Sequence, residues 1–467
     1  MTGHFFSPQF SELTAKLEQL RIVPVRDHIV QLSVDAPALP LISWLSAQTL
    51  YPKIYWHGRN RDEDVAAIGS CKVFYFADQI DDNALASIYQ QQCNKTNHQD
   101  IRYYGGLAFD RSVECWPEFG RAHFILPRIE LRRNGNQVRV LVNLNFENSD
   151  VKSSDIESPD VKHNRIADEI QAALDAIANI QKPRPLSPPN KLTLMGRSDL
   201  PNYSRWKELV EQVTQANFIH STPKVVLSRH SQIDVDDDID PWTLLACWQG
   251  RNPNSFQFGF QFSPERAFIS CSPERLYLRR QQELFTEALA GTTVRGLNPD
   301  EDDILAQALL DDSKNSHENE LVREHIVGAL TPLSQYVGAD EQPKIFKLDH
   351  IQHLHRSIRA QLRPGVNDFE LLRALHPTPA VGGLPRHAAL NFIRQREGYA
   401  RGWYAGACGY FNCHESEFSV AIRSALIEPR RINLFAGAGI VAGSDPEAEW
   451  QELENKLATV LSILIDF

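Results

Sequence analysis

The chain has 467 residues, 42% of them hydrophobic and 23% charged, which is enough apolar material for a sizeable core. A formal net charge of −11 argues against a nucleic-acid-binding surface. No apolar run approaches a bilayer span, the N-terminus lacks the basic-then-apolar order of a signal peptide, and the seven cysteines are scattered without a CxxC pair, so a cytoplasmic chain with free thiols is expected.

Residues 6–21 carry helical periodicity through Phe10, Leu13, Leu17 and Leu20. Extended chain is expected from Ile22 to Val25, and the apolar segments 42–45 and 54–57 flank a break at Tyr51-Pro52. Residues 65–70 and 73–76 read as two strands, 81–93 as a helix, and 103–109, 122–127 and 137–144 as antiparallel strands. Arg133-Asn134-Gly135-Asn136 carries the Asn-Gly signal of a tight hairpin. The polar stretch 148–163 reads as a loop, 166–180 as an amphipathic helix, and the proline-rich 182–189 as a stiff surface connector.

The texture changes at Tyr203, where Trp206, Leu209, Val210, Val213 and Ala216 form a helix stripe. A buried strand over 224–229 follows, then a helix over 241–249 and strands over 256–262, 267–270 and 283–286. A long helix is expected over 301–330, with a break near Asp311-Asp312-Ser313. Residues 344–360 are β-rich, 368–375 read as a helix, and 403–411 and 418–427 as strands.

The stretch 432–456 reads as a strand, a glycine turn and a helix. Gly437 and Gly439 would let the backbone approach an anion and free N–H groups to bind it. Asp445 and Pro446 start the helix as cap and first residue. Glu449, Glu452 and Lys456 then share one face, at i, i+3 and i+7. Two carboxylates and an ammonium opposite a glycine turn suit a divalent metal and a carboxylate substrate. The same glycines loosely match the dinucleotide pattern G-x-G-x-x-A, but no second strand follows to carry an acidic ribose ligand.

Other candidates weaken when taken alone. A lysine opening an apolar strand, as Lys224 does, is ordinarily a solvated strand end; as a general base it needs desolvation or nearby positive charge. Glu274, in Ser272-Pro273-Glu274-Arg275, is ordinarily a surface charge; as an acid it needs burial. Glu318 and Glu320 lie on the long helix, where glutamates are usually solvated, yet two glutamates from two helices would suit octahedral Mg²⁺. His350, His353 and His355 lack partners at zinc-ligand spacing, although one of them could bond a substrate oxygen. Cys271 has no catalytic histidine signature beside it and reads as core.

Seven motifs occur in one order: Lys224-Val225-Val226-Leu227-Ser228-Arg229, Ser272-Pro273-Glu274-Arg275-Leu276, 286–292 (TEALAGT), Lys314-Asn315 with Glu318-Asn319, 376–385 (HPTPAVGGLP), 401–406 (RGWYAG) and 436–441 (AGAGIV). Together they resemble the chorismate-utilising enzymes, strongly over 203–467. Segments 41–45, 51–56 and 126–130 resemble the menaquinone-pathway isochorismate synthases in particular. The resemblance implies a mixed α/β (α+β) single body with two mainly antiparallel β-sheets flanked by helices. Residues 1–200 would form the N-terminal half, with a surface linker near 148–198, and 201–467 the chorismate-binding catalytic region.

Within the resemblance, residue identity discriminates. Amine-transferring members usually carry Gln where this chain has Lys224, and water, unlike ammonia, needs a base. Aminodeoxychorismate synthases use a lysine nucleophile where Ala290 stands here, and the Leu-Leu-Glu-Ser motif of anthranilate synthases is missing. The implied activity is Mg²⁺-dependent isomerisation of chorismate to isochorismate, feeding menaquinone synthesis. Lys224 would take the proton of water attacking C2, and Glu274 would protonate the hydroxyl leaving C4. Glu318 and Glu452 would hold Mg²⁺, with Glu449 in support. Arg423 on a strand over 420–425, Lys456, Tyr404 and the Gly437 and Gly439 amides would hold carboxylates, and Thr292 and His353 would orient substrate oxygens. Chorismate is the expected partner, with no nucleic acid, membrane or glutaminase subunit. Rival readings are a salicylate synthase, a siderophore-pathway isochorismate synthase, and a non-catalytic chorismate-binding subunit of a complex.

Overall fold

The computed structural model describes residues 7–22, 29–59, 62–78, 85, 100–146, 159–187, 191–348 and 351–464. Residues 23–25 of the expected extended segment, almost all of the 81–93 helix, His350 and most of the 148–163 loop lie outside the described residues, while Ile22 ends the described N-terminal stretch in a turn. The last five residues of that loop, 159–163, instead open the helix Pro159–Ala178.

The strand Ala122–Asn134 organises the molecule. It is buried through its first eleven residues, and one edge pairs along its length with Glu63–Phe76. That partner is a single strand, not two; a register shift between Ser70 and Lys72 absorbs the interruption. The other edge of Ala122–Asn134 is shared between Tyr103–Leu107 and Gln137–Asn145, the latter through the hairpin at Asn134-Gly135.

Two arms of sheet diverge from this strand. One continues through Lys53–His57, Phe256–Ser263, Arg266–Ser272, Ser424–Glu428 and Arg431–Ile440 to Lys224–Val235. The other continues from Tyr103–Leu107 through Ala407–Phe411, Glu415–Val420, Arg275–Arg280 and Glu283–Val294 to Ile351–Leu362. The expected two sheets are thus joined into one hydrogen-bonded network, antiparallel in every pairing among the described residues. Strands from before residue 150 pair directly with strands from after residue 250 in both arms. No described helix is long and apolar enough to cross a membrane.

Local signals set several helices. The long helix breaks where expected, into Pro299–Asp311 and Ser313–Leu330, because the Asp312 side chain accepts from the Asn315 amide (2.7 Å) and caps a new start. Residues 42–45 lie in the helix Leu41–Ala47, whose buried side chains leave no strand alternation to read. The helix Arg386–Arg396 and the strand Leu194–Leu200 have no counterpart among the expected elements.

Arg401 ties the site's scaffold together. It is buried against Glu397 and donates to the Val226 carbonyl (2.7 Å) and the Val381 carbonyl (3.0 Å). Arg401→Met is expected to destabilise the fold by about 3–5 kcal/mol, because the Glu397 charge is left buried and unpaired. Denaturant unfolding measures this, and a loss within experimental error would remove the scaffold role.

Candidate active site

Glu274 and Arg423 sit where the chain crosses between the arms. It leaves the first arm at Ser272 and enters the second at Arg275; it returns between Val420 and Ser424. The two crossovers are stitched together: the Val420 amide donates to the Glu274 carbonyl (3.1 Å), and the Cys271 amide donates to the Arg423 carbonyl (3.0 Å). The expected strand over 418–427 is therefore two strands, and Arg423 lies in the gap with φ of +49°. A non-glycine residue holds that conformation only when its surroundings impose it.

Both residues line one pocket, with about 930 Å³ of empty space between its walls, open solvent included. Thr292, Glu318, His353, Tyr404, Gly437, Gly439, Glu449, Glu452 and Lys456 line the same pocket. Lys224 is not among the lining residues; its side chain is fully buried behind them, and Nζ donates to the lining residue Glu318 at Oε1 (2.7 Å). Glu318 is placed by its neighbour Asn319. The buried Asn319 amide donates to the Ala288, Ala290 and Leu354 carbonyls (3.0–3.3 Å) and pins the helix to the sheet.

The glycines are not a turn. Arg431–Ile440 is continuous strand, with Gly437 opposite Ser228 and Gly439 opposite Val226. The Val226 and Ser228 amides donate away from this strand, to the Gly382 carbonyl (3.0 Å) and to Glu397 Oε1 (2.7 Å). In an antiparallel ladder the residues opposite them must also point their peptide groups outward. Gly437 and Gly439 therefore present theirs to the edge that Ser424–Glu428 has vacated, its pairing having ended at Phe435. There the Gly437 carbonyl accepts from Lys456 Nζ (2.8 Å).

Glycine is needed for close approach. A Cβ on Gly439 would lie 2.8 Å from Glu318 Oε1 and 3.1 Å from Lys224 Cε; one on Gly437 would lie 2.8 Å from the Tyr404 hydroxyl. Gly439→Ala is expected to push Lys224 and Glu318 off position and to cost about tenfold or more in kcat/KM with folding intact. Steady-state kinetics beside a thermal melt test this, and a variant of normal activity would show the gap to be incidental.

Glu274 is 4% exposed. Burial first, and then the nearby Glu287 charge, push its carboxyl up to about 8, so it carries a proton at neutral pH. Thr378 donates to it at 3.4 Å. His353 is held neutral: burial, then Arg423 and Lys456, push it down to about 3. Its Nδ1 meets Thr292 Oγ1 at 2.8 Å, while its buried Nε2 has no partner, which leaves a polar atom for a ligand to satisfy. His355 lies elsewhere, bonded to Glu287 (3.0 Å), and Glu320 pairs with Arg323 and Arg356 away from the pocket.

The final helix follows its signals, with Asp445 Oδ2 accepting from the Ala448 amide (2.9 Å). Lys456 closes the i,i+4 pair with Glu452, so its charge is already engaged. Glu449, in turn, takes Lys314 as partner (3.2 Å). Burial and the Glu452 charge push Glu449 up; burial also opposes ionisation of Glu452, but Lys456 and Arg423 outweigh it and hold Glu452 below the ordinary range. No three Asp, Glu, His or Cys side chains among the described residues form a ready-made cage. The donor set is nonetheless all oxygen, from Glu318 on one helix and Glu449 and Glu452 on another. That fits a hard cation that completes its shell with water and substrate oxygens.

Lys314 and Thr378 escape notice in the sequence as site residues. Both belong to shared motifs, 314–319 and 376–385, within which other residues draw attention as acids or ligands.

The family model described as chorismate binding enzyme matches residues 15–465. An isochorismate synthase of Escherichia coli, MenF, is 36% identical over 97% of this chain and 99% of its own length. That of Pasteurella multocida is 33% identical over 94% of both chains. The solved structure of the menaquinone-specific isochorismate synthase of Escherichia coli superposes with a TM-score of 0.86, at 32% identity, over 99% of this chain and all of that one. With the family model spanning nearly its whole length, the chain belongs to the chorismate-binding enzymes.

Proposed function

We propose that this chain is an isochorismate synthase, converting chorismate to isochorismate by water attack at C2 and loss of the C4 hydroxyl. One observation carries the reading. A buried carboxyl that keeps its proton near neutrality, Glu274, lines one pocket with carboxylate-binding groups and with Glu318, to which the buried Lys224 is bonded. Lys224 accepts the proton of the attacking water as the neutral amine, which requires that its ammonium first give up a proton and leave its ion pair with Glu318. Glu274 donates its proton to the departing hydroxyl. Arg423, whose planar fork suits a carboxylate, and the outward peptide groups of Gly437 and Gly439 bind the substrate's carboxylates. Tyr404 and the free Nε2 of His353 orient its oxygens. Glu318 and Glu452 would hold Mg²⁺, with Glu449 beside them, and the ion would supply positive charge for the ring carboxylate. The chain works without a glutaminase subunit, and its relatives support a place in menaquinone supply.

Chromatography of the products from chorismate and Mg²⁺, with and without ammonium, tests this on the purified chain. Isochorismate alone is expected in both. Salicylate with pyruvate, an aminated product, or activity only with a second protein would each overturn it.

A further inference from the structure

Glu287 is a buried carboxylate on the strand Glu283–Val294, and its charge is met by Arg59, which follows the strand Lys53–His57 in the N-terminal half. Both are almost fully buried, and both reach the backbone around Glu274. The Arg59 guanidinium donates to the carbonyl of Pro273, the residue before the acid, and to Glu287 Oε2. Glu287 Oε1 accepts from the amide of Arg275, the residue after it (2.8 Å). Arg275 completes the circuit, donating to the Arg59 carbonyl (3.3 Å) and to Glu417 (3.2 Å). His355 Nε2 also meets Glu287 Oε2, the oxygen that Arg59 holds (3.0 Å). Glu274's own peptide groups are held separately: its amide donates to Ser272 Oγ (3.3 Å), and its carbonyl accepts from Ser419 Oγ (2.8 Å) and the Val420 amide (3.1 Å).

We propose that Arg59 and Glu287 are positioning residues: their ion pair clamps the peptide groups flanking Glu274 and so fixes where its carboxyl meets the leaving hydroxyl. The inference rests on the acid role given to Glu274 above. It also assigns work to the N-terminal half, which otherwise contributes no group to the reaction. The charged groups facing Glu274 are Glu287 on the strand Glu283–Val294, Lys224 on the strand Lys224–Val235 and Arg59 in the turn after Lys53–His57. Glu287 opposes ionisation of Glu274, while Lys224 and Arg59 favour it. Glu287 itself stays ionised: burial pushes it up, but Arg59 and His355 outweigh that and hold it well below the carboxylate range.

Geometry and charge can be separated by comparing Arg59→Lys, Glu287→Gln and Glu274→Gln with the unaltered full chain, using chorismate and Mg²⁺ from neutral to alkaline pH. Arg59→Lys keeps the charge but cannot span both acceptors, because an ammonium lacks the planar fork. Its kcat is expected to fall about tenfold or more, with KM within about twofold and the alkaline limb unmoved. Glu287→Gln keeps the shape but removes the negative charge, so Glu274 loses its proton earlier. Its kcat falls and its alkaline limb moves to lower pH. The clamp is overturned if both folded variants keep normal kcat and limb, if KM rises with kcat intact, or if the loss follows a loss of cooperative unfolding. Normal activity in Glu274→Gln would overturn the acid role instead, so the two failures are distinguishable.

Discussion

Lys224→Ala is expected to leave a folded chain that still binds chorismate but turns it over about 10²–10⁴-fold more slowly, the span a positioned general base contributes. Water is a weak nucleophile and needs a group to take its proton as it attacks. Lys224 is placed for this at the opening of the strand Lys224–Val235, fully buried, on the same face as Val226 and packed with Glu318 over Gly439. The cost in stability is limited. The variant loses one charged hydrogen bond, about 1.5–3 kcal/mol, and Glu318 keeps some contact with solvent. Equilibrium binding of chorismate and a thermal melt separate a chemical defect from a folding one. Substantial isomerase activity in a folded Lys224→Ala protein would end the assignment.

Glu274→Gln is expected to lose a similar factor, and its pH profile supplies an independent check. The acid must carry its proton to give it to the leaving hydroxyl. With the carboxyl pushed up to about 8, first by burial and then by Glu287, it is protonated through the neutral range. Activity of the unaltered protein should therefore fall as pH rises through about 8. Glutamine cannot ionise, so whatever activity Glu274→Gln retains should lack that limb. A limb of the same position in the variant would assign the titration to another group.

Much of this site is legible as residue types, because the chemistry demands them. The set Lys224, Glu274, Glu318 and Glu452 can be assembled from ordered motifs; Glu274, Glu318 and Glu452 line one pocket, and Lys224 is bonded to Glu318 beside it. Local signals are equally readable: Asp312 restarts a helix and Asp445 caps another, since a cap needs only the next three amides.

What escapes such reading depends on partners distant in the chain. Gly437 and Gly439 look the same in sequence whether they make a turn or leave room for a neighbour. The choice falls to Tyr404 and Glu318, which come to lie over them, and to a strand that begins only at Ser424, opposite Phe435. Lys456 reads as a substrate ligand until Glu452 and the Gly437 carbonyl are seen to hold it. The break at Arg423 comes from a crossover paired with the one at Glu274. Residue identity thus decided which acids, bases and ligands were present and what they could do. Only the tertiary structure decided which of them are buried, which are already paired and which peptide groups face the pocket. Burial, Coulomb interaction and ladder direction arise between segments that the chain itself keeps far apart.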